Sequence, residues 1–146
     1  MKIYFDACCL SRPFDEKTQP KVRLESEAVL IILKDVQNER HDMVTSEIMD
    51  FENEKNPDVE EQSEVRNFLR LARRRVVMTA KEISRAEHLA SLGFGSYDSF
   101  HIACAESGGA DYLLSTDDDM VGLGEKHRGE LAVGIMNPVK FCGIKK

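Results

Sequence analysis

The sequence predicts an α/β fold, a sandwich of helices around a mostly parallel five-stranded sheet. Two observations predict it. Short apolar runs alternate with longer segments whose apolar residues recur at helical spacing. The helical segments also carry their own start and stop residues, so the boundaries between the two kinds of element can be read. The 146 residues suit one domain with one sizeable core, taken here as residues 1–146, and no repeat or linker divides them.

The elements follow in order. "KIYF" at the N-terminus reads as a short buried strand. A helix follows from Thr18, which can cap it, with Pro20 just inside its start and Val29, Ile32, Leu33 and Val36 on one face. "MVT" at 43–45 is the second strand, and Ser46 can cap the helix after it. Asn56-Pro57 opens another helix with Val65, Phe68, Leu69 and Ala72 on one side, and "VVM" at 76–78 is the third strand. Thr79 and Glu82 form a capping box for a helix that Gly93 terminates. Ser96 caps "YDSFHIACAES", which Gly108-Gly109 stops; "YLLS" and "LAVGIM" are the fourth and fifth strands, the last ended by Asn137-Pro138.

Composition narrows the function classes. No apolar run approaches a membrane span, and Asp6 comes too early for a secretory signal, so a cytoplasmic location without membrane attachment is expected. The net charge of −6 argues against a strongly basic nucleic-acid binder, although acids gathered around a cation would make that total misleading. One basic cluster, "RLARRR" (Arg70, Arg73, Arg74, Arg75), reads first as the cationic end of a helix and second as a phosphate-binding patch. Cys8, Cys9, Cys104 and Cys142 have no zinc-ligand spacing and read as reduced thiols. There is no Walker loop, no G-x-G-x-x-G and no Ser-His-Asp grouping.

The acids carry the chemistry. In a parallel sheet, ligands bind beyond the carboxyl ends of the strands. Asp6 follows the first strand and Asp117 the fourth, so both belong to that edge. Asp98 opens the helix that runs back to start the fourth strand, on a stripe shared with Ile102 and Ala105. In "SEIMDFENEK" the buried side is defined by Ile48, Met49 and Phe51; Glu52 falls on that side, while Glu47, Asp50 and Glu54 face water. Each acid alone has a plain structural role, as a cap, a dipole partner or a rim residue. Together they place four carboxylates from four segments at one edge. Two unit charges about 4 Å apart repel by roughly 4 kcal/mol at an effective dielectric near 20, so protonation or a divalent cation must relieve the crowding. Oxygen-only donors favour Mg²⁺ or Mn²⁺ over Zn²⁺. Asp118 and Asp119 read as solvated, with Asp119 a fifth acid in reserve, and His101 reads as a satisfied structural histidine.

These residues resemble the PIN-domain family, the metal-dependent nuclease domain of the toxin subunits of VapBC-type toxin–antitoxin pairs. "IYFDAC" resembles the first motif at Asp6, "TSEIMDFEN" the second at Glu52 or, alternatively, Glu47, "YDSFHIACAE" the third at Asp98, and "LLSTDDDM" the fourth at Asp117. "GIMNPVKF" resembles the family's closing strand and turn. The resemblance implies a Rossmann-like three-layer α/β/α sandwich and a ribonuclease that hydrolyses RNA phosphodiester bonds with Mg²⁺ or Mn²⁺. Asp6, Glu52, Asp98 and Asp117 would be the ligands and catalytic acids. It also implies a homodimer, an RNA substrate and an antitoxin partner. Ser115 matches a commonly hydroxylated position and would, by the resemblance, contact substrate, and "SRPFD" makes Arg12 a phosphate contact. Where the first motif usually carries a hydroxylated residue and then Asn or Ser, this chain has Ala7 and Cys8.

Two other classes compete. One is a PIN-like module that binds a protein partner without catalysis. The other is a phosphoryl-transfer domain on a similar sheet, which would want an Asp where Cys8 stands, or a Lys before the last Pro, whereas Pro138 precedes Lys140.

Overall fold

The computed structural model describes residues 1–144. Strands β1 (Lys2–Phe5), β2 (Asp42–Ser46), β3 (Arg74–Val76), β4 (Tyr112–Leu114) and β5 (Gly134–Met136) form one parallel sheet in the order β3-β2-β1-β4-β5. Between β1 and β2 lie α1 (Ala7–Ser11), a 3₁₀ turn (Arg12–Phe14) and α2 (Pro20–Gln37). Helices α3 (Glu47–Glu54) and α4 (Val59–Leu69) join β2 to β3, and α5 (Ala80–Ser91) and α6 (Ser96–Ser107) join β3 to β4. Helix α7 (Asp118–Lys126) leads to β5, and α8 (Pro138–Ile144) follows it. The chain runs outward from β1 to β2 and β3 and then crosses back to β4 and β5, and the right-handed crossovers general to parallel sheets assign the helices of these two runs to opposite faces. The three-layer α/β expectation is therefore met, and the sheet is wholly parallel.

Strand β1 is central, and Ile3, Tyr4 and Phe5 are buried, as a strand covered on both faces requires. They join Ile32 of α2, Met49 of α3, Ile102 of α6 and Leu113 of β4 in the core, each such side chain contributing about 1.5–3 kcal/mol of burial. Among the described residues, no helix is long and apolar enough to cross a membrane.

Several boundaries differ from the sequence reading. Gln19, not Thr18, occupies the cap position of α2, and Gly95 precedes α6, so that Ser96 is its first residue. The third strand is Arg74–Val76 instead of 76–78, because its partner β2 ends at Ser46, opposite Val76. Past that point the Met78 N–H finds the Glu47 carboxylate instead of a strand. Arg74 and Arg75 thus lie on a sheet edge, not at a helix end, and Arg75 pairs with Asp50 at 2.9 Å. Ala72 lies beyond α4, whose cap Asp58 accepts the Glu61 N–H at 3.1 Å. Phe51 is exposed, not core-facing; Met49 and Asn53, one turn apart, are the buried side of α3. Helices α1, α7 and α8 had no counterpart in the sequence reading.

Candidate functional site

Strands β1 and β4 are neighbours, and the chain leaves them toward opposite edges of the sheet. Their carboxyl ends therefore flank the crevice in which open α/β sheets bind ligands. Asp6 is the first residue beyond β1. Its N–H donates to the Leu114 carbonyl of β4 (3.1 Å), and its buried carboxylate accepts the Cys9 N–H (2.9 Å), which starts α1. Burial, above all, raises its pKa; bonds from Ser115, Cys8 and the Cys9 N–H, and the nearby His101, offset part of that effect.

Asp117 closes the opposite side. It caps α7, accepting N–H bonds from Asp119 (3.0 Å) and Met120 (3.3 Å). The three consecutive acids thus have a local reason: one caps the helix, and Asp118 and Asp119 occupy its first turn, where negative charge suits the macrodipole. Asp118 and Asp119 are exposed, as the sequence reading expected. Ser115 is fully buried between the two motifs; its Oγ accepts the Asp117 N–H at 3.0 Å and lies 3.8 Å from the Cys8 sulfur.

Asp98 stands in the first turn of α6, half-buried. Its pKa is pushed up to about 6, by burial first, then by the charges of Asp6 and Asp117, with a smaller push from Glu52; His101 pulls the other way. Three of the four acids named from sequence therefore act electrically on the fourth. Glu52 is half-buried on α3 and bonds to Nε2 of the buried His101, one turn beyond Asp98 on α6. Glu47 is exposed and is bonded to the Met78 N–H, away from these groups.

Arg12 meets other carboxylates. Its guanidinium lies 3.0 Å from Asp15 and 3.0 Å from Glu25, which is buried and also engages Lys21 (3.0 Å) and Asn137 (2.6 Å). Two contributors escaped the sequence reading, and a third was read without its partner. Cys8 donates its thiol to Asp6, a role foreshadowed only by its place in the first motif. Glu25 had no signal beyond an acid on an otherwise apolar helix face. His101 is a satisfied structural histidine, as read, but the partner that satisfies it is Glu52.

The donor chemistry suits a hard divalent cation: carboxylate oxygens, whose charges add to burial in raising the Asp98 pKa. Their placement is looser. Among the described residues, no group of three or more His, Cys, Asp or Glu side chains is drawn together closely enough to hold a metal ion as it stands. Three of the four acids already hold hydrogen bonds, Asp6 from Cys8 and Cys9, Glu52 with His101, and Asp117 from the start of α7. A recess of about 300 Å³ opens beside Glu52, lined also by Ala7, Cys8, Ser11, Met49 and Asn56, among others.

The family model of the PIN domain matches residues 3–126. A comparison with curated proteins finds no match. Among solved structures, the chain is similar to one in "Crystal structure of VapBC2 from Rickettsia felis bound to a DNA fragment from their promoter". The TM-score is 0.52 at 13% identity, over 94% of this chain and 98% of the other, a likeness of fold.

Proposed function

The chain belongs to the PIN domain family, and from that premise we propose that it is a metal-dependent ribonuclease built on Asp6, Glu52, Asp98 and Asp117. The observation that supports this reading is that Asp6, Asp117 and Glu52, from three other segments, all act electrically on Asp98 beside the switch point of the sheet. Bound Mg²⁺ or Mn²⁺ would lower the pKa of a water and stabilise negative charge on the phosphate. The protein's own part is to supply oxygen donors on rigid elements. Asp6 and Asp117 are fixed by backbone N–H groups, and Ser115 joins the two motifs. The adjoining recess leaves room for part of an RNA strand.

On the same reading, the protein is the toxin of a toxin–antitoxin pair, a homodimer in the cytoplasm with an antitoxin as its protein partner. The likeness to a VapBC2 chain supports this reading. Arg12 is assigned as a phosphate contact, although in the free protein its charge is shared with Asp15 and Glu25.

The competing reading is a PIN-like module that binds protein without catalysis. The open placement of the acids favours it. The burial of Asp98 among the charges of Asp6, Asp117 and Glu52 weighs against it, since a binding scaffold has no use for that cost. Cleavage of single-stranded RNA with Mn²⁺, with chelator, and by Asp98→Asn and Asp117→Asn tests the choice. Metal-dependent cleavage that either substitution abolishes, with the fold retained, is expected. Cleavage undiminished by chelator overturns the mechanism, and no cleavage of a broad RNA pool moves the assignment to the binding module.

A further inference from the structure

We propose that a one-way chain of hydrogen bonds, Ser46 to Tyr4 to His101 to Glu52, fixes the tautomer of His101 and so aims the Glu52 carboxylate at the candidate site. Ser46, Tyr4 and His101 are then positioning residues. The inference rests on the reading of Glu52 as a site carboxylate.

The direction of the chain follows from what each group can do. An ionised carboxylate only accepts, so His101 Nε2, bonded to Glu52, carries the hydrogen. A neutral imidazole then has a bare Nδ1, which accepts. Tyr4 Oη lies 2.7 Å from Nδ1 and so donates to it. Its own hydrogen committed, Tyr4 Oη accepts from Ser46 Oγ at 2.6 Å. Ser46 Oγ in turn accepts the Met49 N–H at 3.4 Å, as the cap of α3. With His101 neutral, each donor and acceptor along the chain has one assignment.

Burial removes the alternatives. Tyr4, Ser46 and His101 are 0%, 0% and 1% exposed, so water does not compete for their hydrogens. Burial, foremost, also holds the Tyr4 hydroxyl above its ordinary pKa, so it keeps the proton it must donate. The route is closed in space as well: Ser46 caps the same helix, α3, that carries Glu52. His101 shares α6 with Asp98, three residues away, so the bond that holds Glu52 also sets it relative to Asp98. Partners that orient a ligating group commonly matter 10–100-fold in metal affinity or activity.

The full chain, labelled with ¹⁵N at histidine and free of metal, reports the tautomer directly by NMR of the imidazole nitrogens. The wild type is expected to show Nε2 protonated and Nδ1 bare at neutral pH. Tyr4→Phe removes the donor to Nδ1, so a shift toward the Nδ1-protonated form is expected, with Mn²⁺ affinity, read by EPR of the free ion, lowered about 10-fold. His101→Gln, which keeps an N–H near the Nε2 position, should retain more Mn²⁺ binding than His101→Leu. A wild-type imidazole protonated on Nδ1 or on both nitrogens overturns the proposal, as does a Tyr4→Phe variant with unchanged tautomer and affinity. Equal Mn²⁺ binding by the Gln and Leu variants also overturns it. A wild type that binds no Mn²⁺ defeats the metal-site reading of Glu52, while the tautomer measurements still decide the hydrogen-bond chain.

Discussion

Cys8 donates its thiol hydrogen toward both carboxylate oxygens of Asp6, each 3.2 Å from the sulfur, out of the first turn of the helix that Asp6 caps. Desolvation first and the Asp6 charge next hold this thiol up, at about 12, so it stays protonated and remains a donor at neutral pH. A thiol thus does here what the resemblance leads one to expect of a hydroxyl or amide. Cys8→Ser is expected to keep RNA cleavage intact. Cys8→Ala removes the donor, and a loss of about 1 kcal/mol predicts kcat/KM about 5-fold lower. Parallel cleavage assays with both variants check this, and equal activity of the two would show the bond to be incidental.

Asp98 ties stability to pH and to cations. Its folded-state pKa, raised to about 6, exceeds its unfolded value, so between those values the folded chain binds more protons than the unfolded one. The contribution of Asp98 to the stability of the metal-free protein therefore falls as pH rises from about 4 to about 6, opposite to the behaviour of a salt-bridged carboxylate. Asp6 is shifted in the same direction. Asp98→Asn is expected to flatten this slope and raise Tm at pH 7 by about 2–4 °C in chelator, while abolishing cleavage. Mg²⁺ or Mn²⁺ should raise the Tm of the wild type and leave that of the variant nearly unchanged. Thermal melts at several pH values, with and without cation, read both effects.

Glu52 and Glu47 separate cleanly by what each touches. Glu52 is held by His101 and contributes to the charge around Asp98. Glu47 accepts the Met78 N–H just beyond the end of β3. Glu52→Gln is expected to lower kcat/KM at least 100-fold, about 2.7 kcal/mol, with little change in Tm. Glu47→Gln should leave cleavage unchanged and cost about 1 kcal/mol of stability through the weakened bond to Met78. The reverse pattern would transfer the second acidic motif to Glu47.

What the sequence displayed and what it hid follow one physical division. Asp6 and Asp117 could be placed because they directly follow apolar strands of a parallel sheet, and such strands end at a common edge. Asp98 could be placed because a crossover helix must begin at that edge. Pairings between segments distant in sequence were hidden: Glu52 with His101, and Glu25 with Arg12 and Asn137. Helix α7 was hidden because its acids and glycines read locally as a loop. Its Gly124 is explained only by packing, since a Cβ there would stand 2.8 Å from Cβ of Ile135. Phe51 misled because α3 has just eight residues, too few for apolar spacing to define one face.

Arg12 and Glu25 give the last prediction, since the same arginine is claimed by structure and by substrate. Their atoms meet at 3.0 Å, charge to charge, without the alignment of a hydrogen bond, and the Glu25 side chain is only 2% exposed. Arg12→Met leaves Glu25 to Lys21 and Asn137. The cost expected is about 2 kcal/mol, below the ~3–5 of a buried charge left with no partner, and Tm should fall by about 4–8 °C. Adding Glu25→Leu removes the stranded charge, so the double variant should recover at least half of that loss. In that restored background the substrate role stands alone. If the guanidinium binds a substrate phosphate, its removal should raise KM about 5-fold, ~1 kcal/mol, leaving kcat unchanged. An unchanged KM in the double variant would confine Arg12 to joining the 3₁₀ turn to α2.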